Sequence, residues 1–145
     1  QQALLHGTRN QSKVTVIFLY LDRFKLVNDS LGHDAGDKVL EATANRVQSC
    51  LRANDTVSRL GGDEFVILLP DSPQDAIDLI PVIEEIRTAI AEPVEINGQW
   101  VTVTTSMGIA IFPEDGGDPE SLMRSADAAM YAAKHAGRNG FRFHS

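Results

Sequence analysis

The sequence predicts an α+β domain with a largely antiparallel central sheet and helices packed on it. Three observations carry this. Val14 to Leu21 is an apolar stretch rich in β-branched and aromatic residues, as expected of a buried strand. Two pairs of apolar runs are each joined by a glycine-bearing turn, Gly61-Gly62 in one and Asn97-Gly98 in the other, which is how antiparallel neighbours connect. Between them lie segments whose apolar residues recur at helical spacing. The order strand, helix, two paired strands, helix, two paired strands, helix, strand then gives a sheet with helices packed on it.

Taken in order, Gln1 to His6 reads as the tail of a helix ending near Gly7. The strand Val14 to Leu21 follows, ending at Tyr20-Leu21-Asp22, and Phe24 to Asp29 is expected to turn briefly. A helix from about Asp34 to Leu51 carries Val39, Leu40, Ala44, Val47 and Leu51 on one stripe. Val57 to Leu60 and Phe65 to Leu69 form the first hairpin, with two carboxylates, Asp63 and Glu64, at its turn. A helix over Pro73 to Ala91 follows, kinked or split at Pro81 because proline removes a backbone donor and clashes with the preceding turn. Val94 to Ile96 and Trp100 to Ile111 flank Asn97-Gly98. Asp118-Pro119 supplies a cap and a first helical residue, the helix stops near Gly137, and Phe141 to Phe143 closes the chain as a strand.

The 145 residues, 43% hydrophobic and 23% charged, suit a single domain over 1–145. A formal charge of −7 argues against a nucleic-acid surface, yet leaves room for a nucleotide, which needs only a few local cations. Cys50 is the only cysteine, so no internal disulfide can form, and a reducing, cytoplasmic setting is expected. No apolar run approaches about 18 residues and no signal-peptide pattern is present, so no membrane contact is expected of this domain. The opening at Gln1, without an initiator Met, suggests a piece of a longer protein.

Candidate chemistry falls in three places. Asp22 ends the first strand, Asp63 and Glu64 sit at the hairpin, and Lys134 and Arg138 lie one helical turn apart at a helix terminus. If the first strand pairs with the hairpin, Asp22 or its neighbours come beside the turn acids. Carboxylates so grouped suit Mg²⁺, which leaves its remaining positions to water and substrate phosphates. Gly61 and Gly62 can take backbone angles closed to other residues and leave space for a phosphate. Lys134 and Arg138 suit a triphosphate tail. Asn28 and Asp37 could read a guanine edge, an amide and a carboxylate matching its acceptors and donors, or serve only as a turn residue and a first-turn charge; for His33 a structural or exposed role is preferred.

Four segments in order carry a resemblance: Leu21-Asp22-Arg23-Phe24-Lys25-Leu26-Val27-Asn28-Asp29; Gly32-His33-Asp34-Ala35-Gly36-Asp37; Arg59-Leu60-Gly61-Gly62-Asp63-Glu64-Phe65; and Ala126-Asp127 through Ala129-Met130-Tyr131 to Ala133-Lys134 and Gly137-Arg138-Asn139. Together they resemble the GGDEF family of diguanylate cyclases over nearly the whole chain. The resemblance implies a fold similar to the palm of nucleotidyl cyclases, and the joining of two GTP into cyclic di-GMP by a homodimer. It implies Mg²⁺ or Mn²⁺ held by Asp63, Glu64 and Leu21, with Asp63 and Glu64 catalytic. It further implies guanine at Asn28 and Asp37 with His33 close by, phosphates among Phe24, Lys25, Gly61, Gly62, Lys134 and Arg138, and an inhibitory product site at Arg52 and Asp55. The phrasing also looks like members that continue into an EAL phosphodiesterase domain.

Two departures stand out. Tyr20 occupies the place of the family's metal-binding aspartate, and a phenol with a reference pKa of about 10 is a poor substitute for a carboxylate at Mg²⁺. Either Asp22 or water repairs the site, or the domain is a degenerate one that binds nucleotide and regulates an attached partner. The family's DxLTGLxNR opening is also absent, as truncation would explain.

Overall fold

A computed structural model describes residues 13–144; the helix tail expected over Gln1 to His6 lies outside them. Among the described residues seven strands and four α-helices follow one another as β1 (Lys13–Asp22), α1 (Phe24–Leu31), α2 (His33–Ser49), β2 (Thr56–Arg59), β3 (Glu64–Ser72), α3 (Ile80–Ala91), β4 (Val94–Ile96), β5 (Gln99–Val101), β6 (Thr104–Phe112), α4 (Pro119–His135) and β7 (Gly140–Phe143). The main sheet has the order β2-β3-β1-β6-β7, and β4 and β5 form a separate two-stranded ribbon. The pairs β1/β3, β1/β6 and β2/β3 are antiparallel, and β6/β7 is parallel, so the expected α+β architecture holds.

The central strand is apolar on both faces because both are covered. Ile17, Leu19 and Leu21 point into a core shared with Val39 and Val47 of α2 and Ile83, Ile86 and Ile90 of α3. Val14, Val16 and Phe18 point the other way, onto Leu122, Ala126 and Met130 of α4. The alternation follows from the two-residue period of a strand. Burying each such side chain contributes about 1.5–3 kcal/mol relative to exposure.

Gly108 sets how closely α4 lies on the sheet. A Cβ there would stand 2.1 Å from both Ala126 O and Met130 N, so the missing side chain lets strand backbone meet helix backbone. The helix starts at a reciprocal cap, Asp118 Oδ1 accepting from Ser121 N–H at 2.7 Å, with Pro119 in its first turn.

Three expectations change. Phe24 to Asp29 is not a brief turn but the start of α1, which buries Phe24 and Val27. The helix expected over Pro73 to Ala91 begins at Ile80, after a short 3-10 turn over Ala76–Leu79, and Pro81 sits in its first turn, where its missing N–H costs no helical bond. The run Trp100 to Ile111 is broken: Asn97 (φ 52°) and Gly98 (φ 84°) close the β4/β5 hairpin as expected, but the chain leaves that ribbon before joining the main sheet at Thr104.

Candidate functional site

The end of β1 and the β2–β3 turn form one corner. Leu21 N–H donates to Asp63 C=O at 2.9 Å, and Leu60 N–H donates to Glu64 C=O at 2.8 Å. Arg59 braces the turn from outside, its Nε 2.7 Å from Gly61 O and its Nη2 3.4 Å from Gly62 O. Arg59, Leu60, Gly61 and Gly62 border an open cleft of about 420 Å³. Neither glycine has a left-handed φ, so that freedom is not used here. What the glycines provide is space: a Cβ on Gly62 would meet nothing within 4 Å, and one on Gly61 only Glu64 at 3.9 Å.

Tyr20 is the residue of β1 directly opposite Glu64 on β3, and so on the same face of the sheet. That face is the one α4 covers, and the helix brings Lys134 to it. Lys134 Nζ lies 3.8 Å from the centroid of the Tyr20 ring, a cation held on an aromatic face. Burial, then the charges of Asp63 and Asp127, push the Glu64 carboxyl above its ordinary range, and Lys134 pulls it back.

The donor set suits a resident divalent ion poorly. Asp63 and Glu64 are the acids of the turn, Leu21 has only its backbone to offer, and position 20 contributes a phenol. Among the described residues no group of three His, Cys, Asp or Glu side chains converges as a metal site. Nor does Asp22 repair it. Asp22 is 4% exposed and fully engaged: Oδ1 accepts from Ser106 Oγ at 2.6 Å, and Oδ2 from Thr104 Oγ1 at 2.7 Å and Asn139 N–H at 3.0 Å. Of the expectation that Asp22 or its neighbours come beside the turn acids, the neighbour Leu21 meets it, and the Asp22 carboxylate anchors the α4–β7 turn instead.

That turn carries Arg138. Gly137, Arg138 and Asn139 all have positive φ (117°, 62° and 46°), a run of left-handed residues that needs an external anchor. Arg138 Nη1 lies 4.0 Å from Asp22 Oδ1, is itself buried, and makes no hydrogen bond. Lys134 and Arg138 thus stand at the same end of α4, as their spacing predicts.

A second group lies across the β2–β3 hairpin. A Cβ on Gly36 would fall 1.8 Å from Asn28 Oδ1 and 3.2 Å from Phe24 Cζ, so Gly36 is the surface on which the Asn28 amide and Phe24 ring rest. Next along the helix, Asp37 lines a cleft of about 370 Å³ with Leu40, Glu41, Ala44, Val57, Arg59 and Phe65. Asp37, Glu41 and Arg59 stand among apolar walls, a setting for a flat polar ring. Arg59 borders this cleft and the glycine cleft alike, joining the two. Lys25 and His33 are exposed at the first turns of α1 and α2.

Arg52 and Asp55 stand apart from this corner. Asp55 is buried and accepts from Arg52 N–H at 2.8 Å, Nε at 3.3 Å and Nη2 at 3.4 Å, while Arg52 also reaches Pro70 O at 3.2 Å. The pair closes the loop before β2 and borders a separate cleft of about 280 Å³ with Cys50, Leu69, Leu79 and Val82. Burial, then Glu85, push the Cys50 thiol up.

Sequence reasoning quoted Arg59 and Gly36 within motifs but gave them no role. It did not foresee Thr104 and Ser106 as partners of Asp22, nor the meeting of Lys134 with Tyr20. A Thr-x-Ser pair on one face of a strand was the available signal for the first; for the second there was none.

An antiparallel sheet whose central strand ends against a glycine–acid turn, with basic residues delivered by a helix on one face, defines an α+β domain of the nucleotidyl-cyclase palm type. The chain belongs to the family described as diguanylate cyclase, GGDEF domain, whose model matches residues 1–140. It is 42% identical over 143 residues to the bifunctional diguanylate cyclase/cyclic di-GMP phosphodiesterase MucR of Pseudomonas aeruginosa, covering 99% of this chain and 21% of MucR. It is 39% identical over 142 residues to the diguanylate cyclase TpbB of the same species, covering 97% of this chain and 32% of TpbB. The chain therefore spans only a fifth to a third of these relatives. The crystal structure of the TpbB GGDEF domain superposes with a TM-score of 0.95 at 37% identity, covering 99% of this chain and 89% of that one. An EAL/GGDEF domain protein from M. capsulatus superposes with a TM-score of 0.87 at 43% identity, covering 99% and 92%. Among the described residues no helix is long and apolar enough to cross a membrane.

Proposed function

We propose that this domain binds GTP but condenses it to cyclic di-GMP feebly or not at all, and that it regulates a domain attached to it. The carrying observation is Tyr20 opposite Glu64 with Lys134 on its ring. In this reading guanine enters the cleft beside Asp37, with Asn28 at its edge and Phe24 beneath, and the triphosphate passes Arg59 to Gly61 and Gly62, toward Lys134 and Arg138. Phosphoryl transfer depends on positioning and on charge neutralisation, chiefly by metal ions. A site lacking one of its carboxylates keeps the positioning and loses much of the neutralisation. Asp63 and Glu64 remain to accept the 3′-hydroxyl proton in any residual reaction, which needs a second subunit bringing its own GTP.

The intact turn from Gly61 to Phe65 favours the other reading, an active cyclase using Mg²⁺ or Mn²⁺ at Asp63, Glu64 and Leu21. GTP turnover to cyclic di-GMP, measured with each ion for the domain and for Tyr20→Asp, separates the two. The impaired reading expects at least about tenfold more product from the variant. Comparable turnover from the unmodified domain would establish the active reading. Cyclic di-GMP is proposed to bind at Arg52, whose guanidinium is largely exposed, with Asp55 holding the loop. MucR pairs both activities in one chain by name, and an EAL phosphodiesterase is the proposed attached partner here.

A further inference from the structure

We infer that the site takes guanosine triphosphate without a divalent cation, its phosphates held by the fixed cations Lys134, Arg138 and Arg59. This rests on the nucleotide-binding reading above and names what neutralises the bound triphosphate. The place where an ion would sit between β1 and β3 is flanked by Tyr20 on one strand and Glu64 on the other. Tyr20 stands on the β1 side and carries the Lys134 ammonium 3.8 Å from its ring centroid. A divalent ion there would lose a ligand and meet a like charge at close range; with a carboxylate at position 20, the same ammonium would be partly neutralised.

The other cations are already placed. Arg138 has a buried Nη1 with no hydrogen-bond partner, on a turn anchored by Asp22. Arg59 has its guanidinium against the Gly61 and Gly62 carbonyls, at the border of the open cleft. The acids near these groups are Asp22, 4.0 Å from Arg138 Nη1, Asp37 and Glu41, which share a cleft with Arg59, and Glu64, which lies opposite the Tyr20 that carries Lys134. A triphosphate arriving at Gly62 thus meets charge that is part of the chain.

Calorimetric titration of the domain with GTP, in Mg²⁺ and then in EDTA, tests this. The expected result is saturable binding in both buffers, with a Kd in EDTA no weaker than in Mg²⁺. Tyr20→Asp should bind at least about tenfold more tightly in Mg²⁺ than in EDTA, as a restored ligand set requires. Lys134→Gln should weaken binding about tenfold or more in both buffers, as loss of a charged phosphate contact does. Binding by the unmodified domain that falls tenfold or more in EDTA overturns the proposal and leaves the nucleotide reading standing. No binding in either buffer overturns both. Mn²⁺ titration without nucleotide, followed by electron paramagnetic resonance, reads the same point directly: bound Mn²⁺ is expected for Tyr20→Asp alone, and bound Mn²⁺ on the unmodified domain counts against the proposal.

Discussion

Asp22 Oδ1 stands 4.0 Å from Arg138 Nη1, and the same carboxylate holds the N–H of Asn139, the next residue. One buried acid therefore fixes both the turn and the charge it presents. Asp22→Ala strands Thr104, Ser106, Asn139 N–H and Arg138 together, and should destabilise the domain by about 3 kcal/mol in urea denaturation. Asp22→Asn keeps an acceptor and should cost less than half as much. An Asp22→Ala domain as stable as the parent would remove the anchor role.

Gly36→Ala tests the guanine edge. The added methyl would fall on Asn28 Oδ1 at 1.8 Å, so the amide must swing away. Selectivity for GTP over ATP in competition binding should drop about tenfold, the value of one or two hydrogen bonds to the base. Unchanged selectivity would show that Asn28 does not read the base.

Gly108→Ala should cost about 3 kcal/mol, because the new Cβ meets backbone atoms of α4 at 2.1 Å and backbone cannot rotate aside. Gly117→Ala is the control, since its Cβ meets nothing within 4 Å and its effect should stay within about 0.5 kcal/mol. Thermal unfolding of the pair compares them directly.

Glu64 gives a pH test. Its carboxyl titrates above the ordinary value of 4.5 because of burial and of Asp63 and Asp127. A raised acid binds its proton more tightly folded than unfolded, so its contribution to stability is fully present below about pH 4.5 and is lost as pH rises through the folded value. Glu64→Gln should then raise Tm slightly at neutral pH, solvent screening keeping the gain small, and make no difference at pH 4. A gain of the same size at both values would point to packing and not charge.

Legibility in the sequence followed distance along the chain. The first strand, the Asn97-Gly98 hairpin and the cap at Asp118 were readable because each depends on neighbours within a few residues. α1 was missed because Arg23, the residue before it, takes a left-handed φ of 58° and supplies no side-chain cap. The start of α3 was misplaced because a proline fits either inside a kinked helix or in a first turn, and only packing chooses. The end of β1 does meet the β2–β3 turn as expected, but through Leu21, while the Asp22 side chain turns to other partners. Its partners Thr104 and Ser106 lie more than eighty positions away, brought alongside by the β1/β6 register. Tyr20 was visible as an anomaly, and its pairing with Lys134 required the helix to be placed.

An ammonium carried on a helix is present at a stoichiometry of one and never diffuses off. On the proposal above, a site that draws its positive charge from Lys134 on Tyr20 carries that charge whether or not nucleotide is bound. Magnesium would then act on such a site only through the nucleotide it complexes, and not by filling a place in the protein.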